Sequence, residues 1–368
     1  MIYLDSAATS LLKPASVKRA VVQAMTDCAS PSRGSYRAAM DAAELVYNCR
    51  EEAAKLFRSE PEQVVFTMNA THALNLAIHS LVKPGMRVLI SGYEHNAVLR
   101  PLVAAGAELV VVRTPLFDRD AVLAAFRERL GDCDAVVCTH VSNVFGFVLP
   151  VEELSAECKR AGVPLIVDAA QSAGALEVDM KKWDCAFIAM PGHKGLMGPQ
   201  GTGILLCNHD TLPLLHGGTG TLSRSLTMPD ALPERLEAGT QNVPGIAGLL
   251  EGMRYVNQIG LAVIQKKERD LAALFASQIR DERIRTFHSP KPEARSGVLS
   301  VLFEGLDCET AAERLGEQGI AARAGLHCAP MAHETAGTLG SGTVRFSFSP
   351  LLSAEEVMEA GELCKKIF

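Results

Sequence analysis

The sequence predicts an α/β protein with a mostly parallel sheet covered by helices, followed by a smaller α+β lobe. Between residues 60 and 210, short apolar runs rich in β-branched residues alternate with segments of helix length. These runs are apolar throughout rather than at every second position, which is typical of strands buried on both faces. With 368 residues, the chain exceeds one average domain, so one large and one small lobe are expected.

The predicted elements follow in a regular order along the chain. Two helices, at 15–28 and 35–57, precede seven strands, at 64–67, 87–91, 109–113, 135–140, 164–168, 185–190 and 203–207. A long helix at 249–279 follows, and then strands at 298–303, 320–323 and 344–347 with helices at 308–318 and 354–367. We therefore predict a large domain over 15–248 and a small domain over 249–368 that also takes in 1–14.

The composition is that of an ordinary globular protein. Hydrophobic residues make up 48% of the chain and charged residues 21%, and the net charge of −6 gives no reason to expect a nucleic-acid or membrane partner. No apolar stretch has the length of a membrane span, and the N-terminus lacks the regions of a signal peptide. The ten cysteines are scattered without a Cys-x-x-Cys pair, so we expect reduced thiols, no metal site and a cytoplasmic protein.

The most informative segment is the turn at 187–203, which carries Lys194. An apolar strand enters it, five glycines and two prolines surround the lysine, and a second apolar strand follows. Glycine permits close backbone approach, and removal of a lysine from water lowers its pKa and frees the amine for Schiff-base chemistry. Taken alone, the segment fits a surface hairpin better, so the remaining motifs decide its interpretation.

Polar residues follow the predicted strands at their carboxyl ends, where ligands of open α/β sheets bind. The helix that opens at 69–75 offers free N–H groups and the Thr71 hydroxyl, which suit a phosphate, and Asn69 or Thr71 is also an ordinary helix cap. His95 is either a satisfied turn histidine or a ring that stacks on a ligand. Asn143 follows the fourth strand.

Asp168 closes a strand that is predicted to be buried on both faces. A carboxylate there is costly unless it pairs with a cation or a strong donor, and a protonated pyridine nitrogen is such a partner. The alternative is an N-cap for a following helix. Because Lys194 follows about one strand later, the cofactor interpretation is favoured.

These motifs together resemble the class V aminotransferase family of fold type I. The resemblance rests on the order Thr71-His72, His95, Asn143, Asp168-Ala169-Ala170-Gln171 and Gly192-His193-Lys194. Within that family, Arg323-Ala324-Gly325-Leu326-His327-Cys328-Ala329-Pro330 is similar to the active-cysteine segment of the cysteine desulfurases. The match runs from residues 4–9 to 342–347, and its motifs are specific in combination although each is weak singly. It implies a large domain with a mostly parallel seven-stranded sheet and pyridoxal 5'-phosphate as the cofactor.

The resemblance implies catalytic roles for three residues. Lys194 is expected to bind the cofactor as a Schiff base and to move protons, His95 to stack on its ring, and Cys328 to take the substrate sulfur as a persulfide. Asp168 is expected to pair with the pyridine nitrogen and Gln171 to contact the ring hydroxyl oxygen. The alternative for Cys328 is an incidental buried thiol.

The resemblance also implies binding roles. The expected phosphate ligands are Thr71, His72, His193 and, from a neighbouring subunit of a homodimer, Thr240. Asn143, also beside the cofactor, and Arg345, at the end of a strand, are expected to hold the substrate carboxylate. Relatives often have a serine where this chain has Pro191, which leaves one phosphate contact open.

The resemblance thus implies a cysteine desulfurase that converts L-cysteine to L-alanine and passes sulfur from Cys328 to an acceptor protein or thiol. The alternatives are a selenocysteine lyase acting on L-selenocysteine, or another class V lyase or aminotransferase in which Cys328 is incidental. A scaffold or carrier protein is a non-enzyme alternative, and the joint presence of Lys194 and Asp168 argues against it.

Overall fold

A computed structural model describes residues 1–31 and 34–368 and contains a seven-stranded sheet flanked by helices. The sheet strands are β2 (Val64–Thr67), β3 (Arg87–Ser91), β4 (Glu108–Val112), β5 (Ala135–Thr139), β6 (Leu165–Asp168), β7 (Phe187–Pro191) and β8 (Gly203–Cys207). Their order is β2-β8-β7-β6-β5-β3-β4, and only the pairings of β8 with β2 and β7 are antiparallel. The predicted fold class is therefore confirmed, with strand ends shifted by one or two residues.

Helices cover this sheet on both sides. They are α1 (Ala15–Asp27), α2 (Arg37–Phe57), α3 (Ala70–Leu81), α4 (Asn96–Ala104), α5 (Arg119–Leu130), α6 (Val151–Ala161), α7 (Met180–Trp183) and α8 (Val243–Ile259). Every residue of β5, β6, β7 and β8 is buried, which explains why these strands are apolar without alternation.

The single helix predicted over 249–279 is wrong. The structure has two helices there, α8 and α9 (Leu261–Gln278), which meet at Gly260. Gly260 has a φ of +88°, a value that an α-helix does not accommodate and that glycine adopts without a steric penalty. The predicted boundary at residue 249 lies inside α8, which packs against α1 and α2.

The C-terminal lobe has a four-stranded antiparallel sheet of order β12-β13-β10-β9. Its elements are β9 (Ile284–Phe287), β10 (Val298–Phe303), α10 (Cys308–Glu317), β11 (Ile320–Ala321), β12 (Arg323–Gly325), α11 (Pro330–Ala336), β13 (Thr343–Ser347) and α12 (Ala354–Cys364). The sequence analysis missed β9, and the strand predicted at 320–323 is two short strands.

The N-terminal segment joins this lobe. Strand β1 (Ile2–Tyr3) pairs with β11, and Ile2 and Leu4 pack in the apolar core of the lobe. The same segment continues to Ser10, whose N–H donates to the carbonyl of His193 in the large sheet region. Residues 1–10 therefore cross from one lobe to the other. Among the described residues, no helix combines the length and apolarity required to span a membrane.

Candidate active site

The strand ends of the large sheet surround one open pocket of about 520 Å³. Seven of the residues singled out from the sequence line it, namely Thr71, His95, Asn143, Asp168, Gln171, His193 and Lys194. They lie at or just after the carboxyl ends of five different strands, β2, β3, β5, β6 and β7, which meet at one edge of the sheet. The structure therefore brings these seven residues together at one edge of the sheet.

Lys194 lies in the turn between β7 and β8, where it is half-buried and lines the pocket, so the turn is not an ordinary surface hairpin. The turn packs so closely that a Cβ on Gly195 would overlap the carbonyl oxygen of Ala173. Burial lowers the pKa of Lys194 to about 8, against the opposing effect of the Asp168 carboxylate. A sizeable fraction of its amine is consequently unprotonated near neutral pH, as a Schiff-base lysine requires.

Asp168 is the last residue of β6 and is almost fully buried. Burial raises the pKa of Asp168, while the N–H of Ala170, which donates to Oδ1 at 2.9 Å, and the charge of Lys194 lower it. No helix follows directly, because the next one, α7, begins at Met180 and is capped by Asp179. The N-cap alternative for Asp168 is therefore wrong, and the carboxylate is available to a cationic partner in the pocket.

His95 is a hydrogen-bonded turn histidine that also faces the pocket, so the first interpretation is confirmed and stacking on a ligand stays a prediction. It is the N-cap of α4, where Nδ1 accepts a hydrogen bond from the N–H of Ala97 at 2.9 Å, and it also lines the pocket. Burial and then the charge of Lys194 lower the pKa of His95 to about 4. The ring is thus neutral, with its proton on Nε2, and offers an uncharged face to a ligand.

The N-terminus of α3 lines the pocket and supplies hydrogen-bond donors to it. Asn69 caps this helix by accepting from the N–H of His72 at 2.9 Å, and Thr71 is exposed. The Nδ1 atom of His72 accepts from the N–H of Met68 at 3.3 Å, and Nε2 is buried without a hydrogen-bond partner in the described part of the chain. His72 and Thr240 line a neighbouring cavity, so within one chain neither lines the Lys194 pocket.

The loop that carries Cys328 is tied to the same pocket. The carbonyl of Cys328 accepts from the N–H of Asn96 at 2.8 Å, and the carbonyl of His327 accepts from Nδ2 of Asn143 at 2.8 Å. His327 and Cys328 have φ values of +51° and +58°, a left-handed conformation that costs roughly 1–3 kcal/mol per residue outside glycine. The Cys328 side chain is exposed, unlike the eight buried cysteines, so it is not a packed thiol.

Arg345 lies in the middle of β13, and its predicted position at a strand end is wrong. It is buried, its Nη2 lies 2.7 Å from Oδ1 of Asp5, and its Nη1 donates to the carbonyl of Asn143 at 3.2 Å. The sequence analysis did not single out Asp5. Its only signal was its place in the N-terminal segment that carries part of the family resemblance.

Glu94, the fully buried neighbour of His95, is a further residue that was not predicted from the sequence. Its Oε1 accepts from the Ser91 hydroxyl at 2.5 Å and from the N–H of Thr139 at 2.9 Å, so it joins the ends of β3 and β5. Burial raises the pKa of Glu94 to about 8.

The donor set fits pyridoxal phosphate. A half-buried amine of lowered pKa (Lys194), a buried carboxyl (Asp168) and a neutral aromatic ring (His95) share the pocket. The N-terminus of α3, where Thr71 lines the pocket, offers N–H groups for a phosphate, and Nε2 of His72, on the neighbouring cavity, has no hydrogen-bond partner in the described part of the chain. Pro191, the last residue of β7, contributes no N–H, so these donors would replace the contact made by serine in relatives.

Comparisons with a family model and with known sequences indicate the same family. The family model described as aminotransferase class-V matches residues 2–359. A probable cysteine desulfurase from Pyrococcus abyssi is 33% identical over 97% of this chain and 92% of its own length. A cysteine desulfurase from Haloferax volcanii is 30% identical over 100% of this chain and 90% of its own length.

Solved structures agree with the sequence comparisons. A cysteine desulfurase from Thermococcus onnurineus, solved in the apo form, superimposes with a TM-score of 0.91 at 32% identity, covering 100% of this chain and 94% of the other. A cysteine desulfurase from Escherichia coli superimposes with a TM-score of 0.86 at 27% identity, again over 100% and 94%.

Proposed function

We propose, on the premise that this chain belongs to the class V aminotransferase family, that it is a pyridoxal-phosphate-dependent cysteine desulfurase. The observation that carries the proposal is that the Lys194 pocket and the loop of an exposed cysteine are joined by hydrogen bonds. Lys194 and Asp168 line the pocket, and the carbonyl of the exposed Cys328 accepts a hydrogen bond from the N–H of Asn96, the residue after the pocket residue His95. A pure scaffold or carrier has no use for this combination.

The cofactor would be held by residues from several strand ends. Lys194 would bind it covalently, Asp168 would face its ring nitrogen, Gln171 its ring hydroxyl, and His95 its ring face. The phosphate would lie toward the N-terminus of α3, near Thr71, His72 and His193. When bound, pyridoxal phosphate supplies an electron sink that stabilises negative charge developing on the substrate.

The protein's own groups would then orient the substrate and move its protons. Arg345 and Asn143 bind the α-carboxylate, because the guanidinium donates charge-assisted hydrogen bonds and its Nε–H has no partner in the described part of the chain. The Lys194 amine takes the proton from the substrate α-carbon, a task that suits a base with a pKa of about 8. The neutral His95 ring excludes water from one face of the pocket.

Cys328 would accept the sulfur. Its thiolate attacks the sulfur of the substrate, a sulfur–sulfur bond forms, and the carbon–sulfur bond breaks with its electron pair left on the β-carbon. That carbon takes up a proton and becomes a methyl group, and the Lys194 amine returns a proton to the α-carbon, which gives L-alanine. The enzyme thiol and L-cysteine thus become an enzyme persulfide and L-alanine, and the outer sulfur passes to an acceptor thiol.

The experiment that tests the function is alanine release from L-cysteine, L-selenocysteine and cysteine sulfinate, each with and without a thiol acceptor. A cysteine desulfurase releases alanine from L-cysteine and depends on the acceptor for turnover. Release from L-selenocysteine alone would instead identify a selenocysteine lyase.

All ten cysteines lack a disulfide partner, which supports our proposal of a reducing, cytoplasmic location.

Arg345→Ala is expected to weaken transition-state binding by roughly 2–4 kcal/mol, because it removes a charge-assisted contact with the α-carboxylate. The loss should appear in kcat/KM for L-cysteine measured by alanine release. Arg283→Ala, which removes an exposed arginine of the same lobe, is the control and should leave kcat/KM unchanged. Equal kcat/KM in both variants would show that Arg345 does not bind substrate.

We further propose a homodimer in which Thr240 completes the phosphate site of the other subunit. Thr240 does not line the Lys194 pocket of its own chain, and α1 and α2 expose Val22, Met25, Met40 and Tyr47. Light scattering should give a dimer, and Thr240→Ala should retain less cofactor than the parent after equilibrium dialysis. A monomer that holds the cofactor and is fully active would contradict the proposal.

A further inference from the structure

The buried guanidinium of Arg345 has an unequal set of partners. Its side chain is 3% exposed, its Nη2 forms the 2.7 Å ion pair with Asp5, and its Nη1 makes the 3.2 Å hydrogen bond to the carbonyl of Asn143. The third nitrogen, Nε, is buried and has no hydrogen-bond partner in the described part of the chain. A buried donor without a partner is costly, so this N–H is available to an incoming acceptor.

A second arginine lies directly beside it. Strands β12 and β13 pair in a register that places Arg323 opposite Arg345, and like charges in that position destabilise a sheet. Asp5 is the only acidic side chain that forms an ion pair with Arg345 among the described residues. Its carboxylate therefore opposes the repulsion that would turn the Arg345 guanidinium away from Arg323.

Asp5 is itself firmly held. Asp5 forms an isolated parallel β-bridge with Ser347 of β13. In this bridge, the N–H of Ser347 donates to the carbonyl of Leu4 at 2.7 Å. The Ser347 hydroxyl accepts from the N–H of Ala7 at 2.8 Å, and the Tyr3 hydroxyl donates to the carbonyl of Asp5 at 3.1 Å. The backbone on both sides of Asp5 is thus fixed to the small lobe.

The same segment reaches the cofactor side of the pocket. The carbonyl of Ala7 accepts from Nε2 of Gln171 at 3.0 Å, and the hydroxyl of Thr9 lies 3.1 Å from Nδ1 of His193. One short stretch of chain therefore contacts Arg345 on one side and Gln171 and His193 on the other. The Asp5 carboxylate is therefore fixed in position relative to the pocket as well as relative to β13.

We propose that Asp5 is a positioning residue that sets specificity for α-carboxylates. It holds the Arg345 guanidinium in the orientation in which Nε–H is left for the carboxylate of the substrate. This inference rests on the proposed function, which assigns the α-carboxylate to Arg345. Asp5 itself touches neither the substrate nor the cofactor.

The test uses the holoenzyme and two ligands that differ only in the charged group. The dissociation constants of L-alanine and L-alaninamide are measured from the visible absorbance of the bound cofactor, and KM and kcat for L-cysteine are measured in parallel. The variants are Asp5→Ala, Asp5→Asn and Arg345→Ala. Asp179→Ala is the matched control. Like Asp5, Asp179 is a poorly exposed aspartate that forms an ion pair with an arginine, Arg58. It caps α7 and does not line the pocket.

Asp5→Ala is expected to weaken L-alanine binding about tenfold, as for loss of a charged hydrogen bond, and to raise KM more than it lowers kcat. L-Alaninamide binding should not change, and Asp5→Asn, which keeps an acceptor oxygen, should lie between Asp5→Ala and the parent. Asp179→Ala should lower the melting temperature without changing either ligand's affinity. The melting temperature of the cofactor-free Asp5→Ala protein separates loss of fold from loss of positioning.

Three outcomes would overturn the inference: L-alanine binding in Asp5→Ala equal to the parent, tighter than the parent, or weakened equally with L-alaninamide. A different result would contradict the proposed function itself. If Arg345→Ala also leaves the preference for L-alanine over L-alaninamide intact, then Arg345 is not the carboxylate site. If Arg345→Ala loses the preference and Asp5→Ala keeps it, the site assignment stands and the role of Asp5 is wrong.

Discussion

Lys194→Ala is expected to abolish covalent cofactor attachment and to lower alanine release from L-cysteine by roughly a factor of 10³ or more. The variant loses both the amine that binds the cofactor and the base that takes the α-proton, and general base catalysis alone contributes about 10²–10⁴-fold. Borohydride reduction of the parent followed by peptide mapping should mark Lys194. The same treatment of Lys194→Ala should mark no lysine.

Lys13 is a stringent control for this assignment. It is also partly buried, burial lowers its pKa to about 8 as well, and its Nζ donates to the carbonyl of Gly198 in the Lys194 turn. Lys13→Ala should retain the covalent cofactor because Lys13 does not line the pocket. A borohydride label on Lys13 in the parent would refute the assignment.

The lowered pKa of Lys194 makes the rate of cofactor uptake by the apo-protein depend on pH. A lysine amine reacts with an aldehyde only when it is unprotonated, and that fraction rises as pH rises through the pKa. With a pKa of about 8, the rate of cofactor uptake by the apo-protein should level off above about pH 8. A rate that keeps rising toward pH 10 would indicate an exposed, ordinary lysine.

Much of this site follows from the sequence because its residues occupy positions with a clear physical signature. Asp168 and Lys194 are polar residues next to strands that are apolar throughout, and such strands belong to the interior of a parallel sheet. The carboxyl ends of parallel strands lie at one edge, so the side chains that follow them had to lie near one another. Their roles toward a cofactor came from the family resemblance rather than from this pattern.

The remainder depends on contacts between distant parts of the chain. The pairing of Asp5 with Arg345 joins residues that are 340 positions apart, and no local pattern predicts it. The left-handed conformation of Cys328 is equally invisible, since cysteine has no preference for it and the loop is fixed by hydrogen bonds from Asn96 and Asn143. The break at Gly260 had a local signal, a glycine inside a helical pattern, which the apolar periodicity on either side outweighed.

Cys328→Ala is expected to abolish alanine release from L-cysteine while the visible absorbance of the bound cofactor is unchanged. The absorbance persists because Lys194 and Asp168, which would hold the cofactor, are untouched. Alanine release fails because a thiolate is a poor leaving group from carbon, and the substrate sulfur has to be accepted by a nucleophile. In the parent, a single turnover should add one sulfur atom to the peptide that carries Cys328, as detected by mass spectrometry.

Cys28→Ala is the matched control, because Cys28 is the other cysteine that is not buried and lies on the C-terminal side of α1. It should release alanine at the parent rate and should still form the persulfide on Cys328. Selenide is a weaker base than sulfide and leaves carbon more readily, so Cys328→Ala should retain more activity on L-selenocysteine than on L-cysteine. If Cys328→Ala desulfurates L-cysteine at the parent rate, the exposed thiol is incidental and sulfur leaves without a covalent enzyme carrier.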